Sequence, residues 1–286
     1  MRSWDKMENT MQIERLAAFA MGDQGGNPAG AVIGDAFPDA TVMQHVARDL
    51  GYSETVFAAP EGPGWKGRLC APEAEVAFCG HATIALGCVL GRRFGAGRYD
   101  LALSQASISI VTERAVDAWR ARLTSPPTWS RPLPAPVRGA LLRLFGQSAG
   151  DLDPVLPPQL AHGGATHGVL AVRDRKQLAA MAYPFEAMRG LMQWEGLTTV
   201  SLLHVTAPDL FISRNAFAIG GVVEDPATGA AAAALGGLMA DLDWSLQAGR
   251  FTIRQGEDMA VPSLIGVQIS GVKGAGVRVS GSARWL

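Results

Sequence analysis

An internal repeat limits the folds that this chain can adopt. Residues 80–87 read GHATIALG, and residues 229–236, which begin 149 positions later, read GAAAAALG. In each copy a glycine turn leads into a helix of small side chains that ends in Leu-Gly. Small side chains let backbones approach closely, as they do when strands wrap around a central helix. The repeat therefore predicts two similar halves, whose helix N-termini could face each other across a cleft and bind a carboxylate there.

The length and composition are typical of a protein with two domains that each have a core. The chain has 286 residues, of which 48% are hydrophobic and 18% are charged, so disorder is not expected. A proline-rich stretch at residues 125–136 is the best candidate for a boundary. We predict an N-terminal domain at residues 1–125, completed by a strand within residues 275–286, and a C-terminal domain at residues 126–274.

Periodicity and turn residues predict an α+β fold. The spacing of apolar residues favours a helix at residues 39–50, with Asp39 as its N-cap and Gly51 as its end. Further helices are predicted at residues 83–90, 137–144 and 230–242. Strands are predicted at residues 13–19, 29–33, 53–58, 65–71, 99–111, 166–172, 200–205, 210–217, 251–255, 266–270 and 276–280.

Charge and cysteine content argue against several classes of partner. The formal net charge is −1, so there is no basic surplus to neutralise nucleic-acid phosphates. The polar N-terminus lacks the apolar stretch of a signal peptide, and the uncharged run at residues 226–240 is too short to span a membrane. Three cysteines spaced nine apart do not suggest a disulfide framework and fit a reducing cytoplasm. We therefore expect a cytoplasmic protein that acts on a small molecule.

Glu54 is the first candidate for acid–base chemistry. It lies in the strand-like segment 53–57, which reads SETVF. Partial burial beside the apolar residues Val56 and Phe57 would favour the protonated form of its carboxyl group, and this suits a general acid or base. The alternative is a glutamate on the exposed face of an edge strand.

His81 and Cys79 lie together at the start of the first small-residue helix. The helix dipole there favours a neutral imidazole at His81, which can donate or accept a hydrogen bond, and a histidine that only fills space is the alternative. The same position favours the thiolate of Cys79. Two-thiol epimerases need a second cysteine in the opposite half, where the repeat places Thr228. A packing role for Cys79 is therefore the better interpretation.

Asp225 comes just before the second small-residue helix. Aspartate is a common helix N-cap, and the same carboxylate could face a ligand, where it would bind an amine or move a proton. Among the remaining histidines, His45 is expected on the surface of a helix, whereas His162 and His167 flank a glycine turn and are weaker candidates for a second site.

No metal or phosphate site is expected. A metal site would have to combine Glu54, Cys79, His81 and Asp225, but the chain has no His-x-His, Cys-x-x-Cys or His-Glu-x-x-His spacing. The glycine-rich residues 25–30, which read GGNPAG, are interpreted as a turn because they do not follow a strand and open a helix as a phosphate-binding loop would.

Five segments, in this order, resemble the family of phenazine biosynthesis isomerase-like proteins, which share the diaminopimelate epimerase fold. The segments are 26–32 (GNPAGAV), 53–57 (SETVF), 80–83 (GHAT), 224–229 (EDPATG) and 255–257 (QGE), and a Pro-Ser pair at 262–263 follows the last of them. One segment alone would be weak, but five in family order over nearly the whole chain make the resemblance specific.

The resemblance implies two similar domains, each a β-barrel-like sheet around a central helix, with the active site in the cleft between them. It implies no metal and no organic cofactor, and a homodimer in many members. In the best-understood member, the residue matching Glu54 moves a proton in dihydro-hydroxyanthranilate, a cyclohexadiene amino acid, while the residues matching His81 and Asp225 bind and polarise it. The substrate-binding residues that we expect from the matching segments are Asn27, Cys79, Gly80, Thr83, Thr228, Gly229, Ala230 and Gln255.

Ala230 departs from the family pattern, in which a serine follows Asp-Pro-Ala-Thr-Gly. A lost hydrogen bond costs about 0.5–1.5 kcal/mol, which does not exclude activity and is compatible with a different substrate. The leading hypothesis is a cofactor-independent isomerase of a small carboxylate-bearing substrate. The alternatives are an amino-acid racemase or epimerase that uses Cys79, and a ligand-binding protein that has lost its chemistry.

Overall fold

The computed structural model describes residues 12–104 and 107–286, which form two compact units. The first unit contains the residues up to Thr124 together with Ser280–Leu286, and the second contains Ser125–Val279. Both combine strands with helices, so the predicted α+β class is confirmed. The polar N-terminal residues considered above lie outside the described part of the chain. Among the described residues, no helix has both the length and the apolar composition needed to cross a membrane.

The strands of the first unit close into a barrel of eight. Pairing runs through β1–β2–β3–β4–β6–β7–β8–β17 and returns from β17 to β1, so that each of these strands has a neighbour on both sides. The short β5 pairs with β4. The strands are β1 (Ile13–Ala18), β2 (Asn27–Ile33), β3 (Glu54–Glu61), β4 (Gly64–Cys70), β5 (Glu75–Val76), β6 (Gly97–Ala102), β7 (Ser107–Arg114), β8 (Trp119–Thr124) and, last in the chain, β17 (Arg278–Trp285).

Two helices pack against the strands of this barrel in different ways. Helix α1 (Ala40–Leu50) connects the parallel strands β2 and β3, ends at the left-handed Gly51, and packs against β3 and β4 through residues such as Met43. Helix α2 (Gly80–Phe94) packs against β1, β2, β3, β6, β7 and β8, and every residue of its first three turns, up to Gly91, is buried. A helix that is surrounded by strands in this way needs small side chains at the closest approaches.

The second unit is built around a helix of the same kind. Pairing runs through β9–β10–β11–β12–β13–β15–β16, and β14 pairs with β13. The strands are β9 (Trp129–Pro132), β10 (Gln159–His162), β11 (Thr166–Ala171), β12 (Thr199–Ala207), β13 (Leu210–Ala216), β14 (Glu224–Asp225), β15 (Arg250–Gln255) and β16 (Ser263–Gln268). The helices are α3 (Ala135–Leu144), α4 (Arg175–Ala179), α5 (Phe185–Glu195) and the buried α6 (Gly229–Asp241), which packs against β9, β10, β11 and β16.

The order of elements around the two small-residue helices is the same in both units. In the first unit the parallel pair β2–β3 is followed by β4, β5, α2 and a strand parallel to β4. In the second unit the parallel pair β11–β12 is followed by β13, β14, α6 and a strand parallel to β13. The prediction of two similar halves, each with a buried small-residue helix, is therefore confirmed.

Some element boundaries differ from the sequence prediction. The single strand predicted at residues 99–111 is two antiparallel strands, β6 and β7, and residues 105 and 106 between them lie outside the described part. The strand predicted at 276–280 lies at Arg278–Trp285. Asp39 has the N-cap position of α1 but makes no side-chain capping bond. Strands β8, β9 and β10 and helices α4 and α5 were not predicted, because their sequences are short or lack a clear period.

Gly87→Ala is expected to destabilise the first unit by about 1–3 kcal/mol, because overpacking forces strands to move. A methyl group on Gly87 would lie 2.6 Å from Ala121 Cβ and 2.6 Å from Ile110 Cγ2. Urea denaturation would measure the change. Gly190→Ala in α5 is the matched control, since nothing lies within 4 Å of its added methyl group. The control should be stabilised by about 0.5–1 kcal/mol. Equal effects of the two substitutions would contradict this account of the packing.

Candidate active site

Glu54 is the first residue of β3, a strand of the barrel in the first unit. Since β3 pairs with β2 on one side and β4 on the other, the alternative of an edge strand is wrong. The side chain of Glu54 is 15% exposed, so its carboxylate is largely shielded from water and still within reach of a small ligand. Ala29 on β2 is its register partner, and the buried Asn27 begins that same strand.

His81 connects the carboxylate of Glu54 to two further side chains. Its Nε2 atom lies 3.3 Å from Glu54 Oε2 and 3.2 Å from Ser53 Oγ, and its Nδ1 atom lies 3.2 Å from Cys79 Sγ. A neutral ring with its proton on Nε2 can donate to the carboxylate and accept from the thiol. These contacts orient the buried ring.

The N-terminus of α2 places backbone donors beside these side chains. Cys79 is the N-cap, and both the backbone N–H and the hydroxyl of Thr83 donate to its carbonyl oxygen, at 3.2 Å and 2.7 Å. Helix geometry leaves the N–H groups of Gly80, His81 and Ala82 without intrahelical acceptors, at the positive end of the helix dipole. This end of the helix can therefore bind an anion such as a carboxylate.

Asp225 ends β14 in the second unit, just before the turn into α6. The N-cap of α6 is Thr228, so the alternative in which Asp225 caps this helix is wrong. Thr228 Oγ1 donates a hydrogen bond to Asp225 Oδ2. Gln255 Nε2 donates to the carbonyl oxygen of Asp225 at 2.7 Å and to Thr228 Oγ1 at 3.0 Å, and Gln255 Oε1 accepts from the Thr228 N–H at 3.2 Å. The buried Gln255 thus fixes the turn that carries the carboxylate.

A buried ion pair holds the strand on which Asp225 lies. Arg214 Nε on β13 lies 3.1 Å from each carboxylate oxygen of Glu224, whose side chain is 4% exposed. Arg214 also donates to the carbonyl oxygen of Ala179 at 2.7 Å. Because Glu224 and Asp225 are the two residues of β14, the ion pair ties this short strand to its neighbour.

The residues predicted for the site form one cluster in each unit. The first cluster contains Asn27, Glu54, Cys79, Gly80, His81 and Thr83. The second cluster contains Asp225, Thr228, Gly229, Ala230 and Gln255. Gly229 and Ala230 are the first two residues of α6, the former buried and the latter partly exposed. The catalytic and binding roles of these residues stay predictions.

Two contacts, one at the first cluster and one beside the second, were not predicted from the sequence. The segment SETVF contains Ser53, but nothing in its spacing indicates the contact of Ser53 with His81. Arg214 lies outside every family segment. It follows the buried Ser213 in an alternating strand, and an arginine within such a pattern could have indicated a nearby acidic partner.

His45, His162 and His167 lie outside the two clusters. His45 on α1 is 44% exposed, which confirms its predicted surface position. His162 on β10 stacks on Trp129, with ring centroids 5.2 Å apart. His167 on β11 is fully buried, its Nδ1 atom lies 2.7 Å from Thr199 Oγ1, and burial lowers its pKa to about 3. These contacts place His162 and His167 in the framework of the second unit's sheet.

The free energy of unfolding is expected to decrease as the pH falls from about 6.5 toward about 3, because of His167. Burial lowers the pKa of His167 from 6.5 to about 3, so on acidification the unfolded chain takes up this proton first. The stability that His167 contributes is therefore complete above about pH 6.5 and is lost as the pH falls below this value. His167→Asn should weaken the pH dependence measured by urea denaturation between about pH 7.5 and about pH 5, and His45→Asn should preserve it. The same pH dependence in wild type and His167→Asn would contradict this assignment.

Comparison with known proteins gives matches over most of the chain. The family model of phenazine biosynthesis-like proteins, PhzC-PhzF, matches residues 16–286. An uncharacterized isomerase of Pseudomonas aeruginosa is 31% identical over 226 residues, which cover 77% of this chain and 79% of that protein. An uncharacterized isomerase of Deinococcus radiodurans is 28% identical over 287 residues, which cover 94% of this chain and 90% of that protein.

Solved structures show the same fold. A phenazine biosynthesis protein of the PhzF family from Bacillus anthracis superposes with a TM-score of 0.82 at 18% identity, over 96% of both chains. A protein of Pseudomonas aeruginosa described as a predicted epimerase superposes with a TM-score of 0.83 at 24% identity, over 96% of this chain and 97% of that one. The expected epimerase-like fold is therefore confirmed.

Proposed function

This chain belongs to the family of phenazine biosynthesis-like proteins, PhzC-PhzF, and we propose that it is an isomerase that moves a proton within a small substrate carrying a carboxylate. Several of its relatives are named isomerases, and the chain is an enzyme of the isomerase or epimerase type. The observation that carries the proposal is the contact of Glu54 with His81 at the buried N-terminus of α2. An acid–base group there adjoins backbone donors for an anion.

Glu54 acts first as the general base and then as the general acid. Its carboxylate takes a proton from one carbon of the substrate, and the resulting carboxyl group returns a proton to another carbon while the double bond shifts. Nothing is oxidised or reduced, and no group leaves. The reaction therefore needs no redox cofactor. The low exposure of the Glu54 side chain supports this role, because a shielded carboxyl group exchanges its proton with water less readily.

His81 and the start of α2 bind and orient the substrate. His81 Nε2–H holds the carboxylate of Glu54 in place between proton transfers, and this agrees with their separation of 3.3 Å. The backbone amides near Gly80 bind the substrate carboxylate, and Asn27 and Thr83 belong to the same binding region.

The second cluster offers a further carboxylate, that of Asp225. The carboxylate of Asp225 binds an amino group of the substrate. Thr228 holds the Oδ2 atom of this carboxylate and Gln255 holds its backbone carbonyl group, so the carboxylate is fixed in place. Ala230 offers no hydroxyl, so we expect a substrate that differs from those of members with serine at this position.

Solvent deuterium exchange tests the proposed function. The full chain is incubated in deuterated water with cyclic and linear amino acids, including trans-2,3-dihydro-3-hydroxyanthranilate, and NMR follows the carbon-bound protons. The expected result is deuterium at a substrate carbon or a shifted double bond. A compound that raises the melting temperature of the protein but never acquires deuterium or changes its bonds would favour a binding protein instead.

A further inference from the structure

We propose that Glu54, Cys79 and His81 also form a binding site for a zinc ion, and that zinc occupancy blocks the acid–base chemistry of these residues. They offer a carboxylate oxygen, a sulfur and a ring nitrogen, and these atoms all lie within 4.8 Å of one another. The binding of zinc is inferred from the side chains alone. Only the resulting inhibition rests on the proposed function.

The distances between the three candidate ligand atoms are close to those between the ligands of a tetrahedral zinc ion. With zinc–ligand bonds of about 2.0–2.3 Å and tetrahedral angles, ligand atoms lie about 3.4–3.6 Å from one another. His81 Nε2 lies 3.3 Å from Glu54 Oε2 and 4.0 Å from Cys79 Sγ. Two edges of the triangle are therefore within about half an ångström of the zinc geometry. The third edge, between Cys79 Sγ and the carboxylate of Glu54, is within 4.8 Å. Because Cys79 Sγ lies nearer to Nδ1 of His81, at 3.2 Å, zinc binding requires the Cys79 side chain to move toward Nε2 and Glu54.

The donor set is selective for zinc among the abundant divalent cations. Calcium and magnesium prefer sites made only of oxygen, whereas zinc accepts sulfur, nitrogen and oxygen together. Three protein ligands leave the fourth tetrahedral position open for water or for an anion. A thiolate and a carboxylate balance the charge of the ion, and this offsets the positive end of the helix dipole.

The fold brings the ligands together without a zinc motif in the sequence. Cys79 and His81 are two residues apart across the N-cap of α2, and the hydroxyl of Thr83 fixes the carbonyl group of Cys79. Glu54 comes from β3, one of the barrel strands against which α2 packs. The three side chains are largely buried, at 15% exposure for Glu54 and 6% for His81, so the ion would be shielded from competing water.

Zinc at this position would exclude catalysis directly. The carboxylate of Glu54, which accepts the substrate proton, and the His81 nitrogen that orients this carboxylate would both be bonded to the ion. The substrate carboxylate and zinc would then compete for the same small volume, and a saturating substrate should protect the enzyme from added zinc.

Cobalt(II) is the spectroscopic probe for the binding step. The full chain, freed of metal by chelation, is titrated with Co²⁺ and then with Zn²⁺ in competition. We expect a thiolate-to-cobalt charge-transfer band that zinc removes, and that is absent in Cys79→Ala. The affinity for zinc should fall more than about tenfold in Cys79→Ala, since even residues that only support a ligand are worth that much.

Cys88→Ala is the matched control for the cysteine. Cys88 lies deeper in the same helix, and burial raises the pKa of its thiol to about 12, so it stays protonated and the control should keep the band. The absence of a band in the wild type, or its persistence in Cys79→Ala, would overturn the zinc site.

The two proposals fail in distinguishable ways. Deuterium exchange without any cobalt band would remove the zinc site and leave the isomerase intact. A band that depends on Cys79, in a protein that exchanges no substrate proton, would confirm the metal site and count against the proposed reaction. If both are present, unchanged exchange under saturating zinc would refute the inhibition.

Discussion

Glu54→Gln is expected to lower the rate of substrate proton exchange by about 10²–10⁴-fold, the usual contribution of a positioned acid–base group. Glutamine keeps the size of the side chain and can still accept a hydrogen bond from His81, but its amide cannot take up a proton at neutral pH. Substrate binding should therefore change much less than turnover. NMR in deuterated water, with the substrate at saturating and at low concentration, separates the two effects.

Glu61→Gln is the matched control for this prediction. Glu61 ends the same strand, β3, and its side chain is 54% exposed beside Lys66. The same chemical change at this exposed end should leave exchange within about twofold of the wild type, because surface ion pairs contribute little. If Glu54→Gln retained the activity of Glu61→Gln, Glu54 would not be the acid–base residue.

Glu224→Leu is expected to destabilise the second unit by about 3–5 kcal/mol, the cost of leaving a buried charge without its partner. The side chain of Arg214 is 11% exposed, and its guanidinium group would keep backbone acceptors such as the carbonyl oxygen of Ala179. Urea denaturation would measure the loss. Because Glu224 and Asp225 form β14, the substitution should also weaken substrate binding by displacing Asp225.

The double variant Arg214→Met, Glu224→Leu distinguishes a broken pair from a lost side chain. Replacing both charges by apolar groups should recover most of the stability, because buried ion pairs are often no more stable than well-packed apolar residues. Asp243→Asn is the surface control in the same unit. Its side chain is 79% exposed and pairs with Lys273, so the change should cost less than about 1 kcal/mol. A double variant as unstable as Glu224→Leu would contradict the account of the buried pair.

The main elements of the fold could be predicted because their signals are local. The repeat at Gly80 and Gly229 marks the two central helices, since only small residues fit where strands approach closely. The turn at Gly51 ends α1 as expected. Alternation and helical spacing are properties of a few adjacent residues, and they place most strands and helices to within a few positions.

The missed features depend on residues that are distant in sequence. Whether Glu54 lies on an edge strand could not be decided from its own segment, because the pairing of β3 on both sides involves residues elsewhere in the chain. The partner of Glu224 is an arginine on another strand. The capping role considered for Asp225 is wrong, because Thr228 has the N-cap position and its hydroxyl binds the Asp225 carboxylate.

The place of β17 in the barrel has a consequence for the order of folding. The strands β1 to β8 and helix α2 leave the ribosome early, but the ring is closed by Arg278–Trp285, which is synthesised after all the strands of the second unit. Until then β1 and β8 each have an unpaired edge, and the contacts that close the ring span most of the chain. The unit that is synthesised first is therefore the one that is completed last.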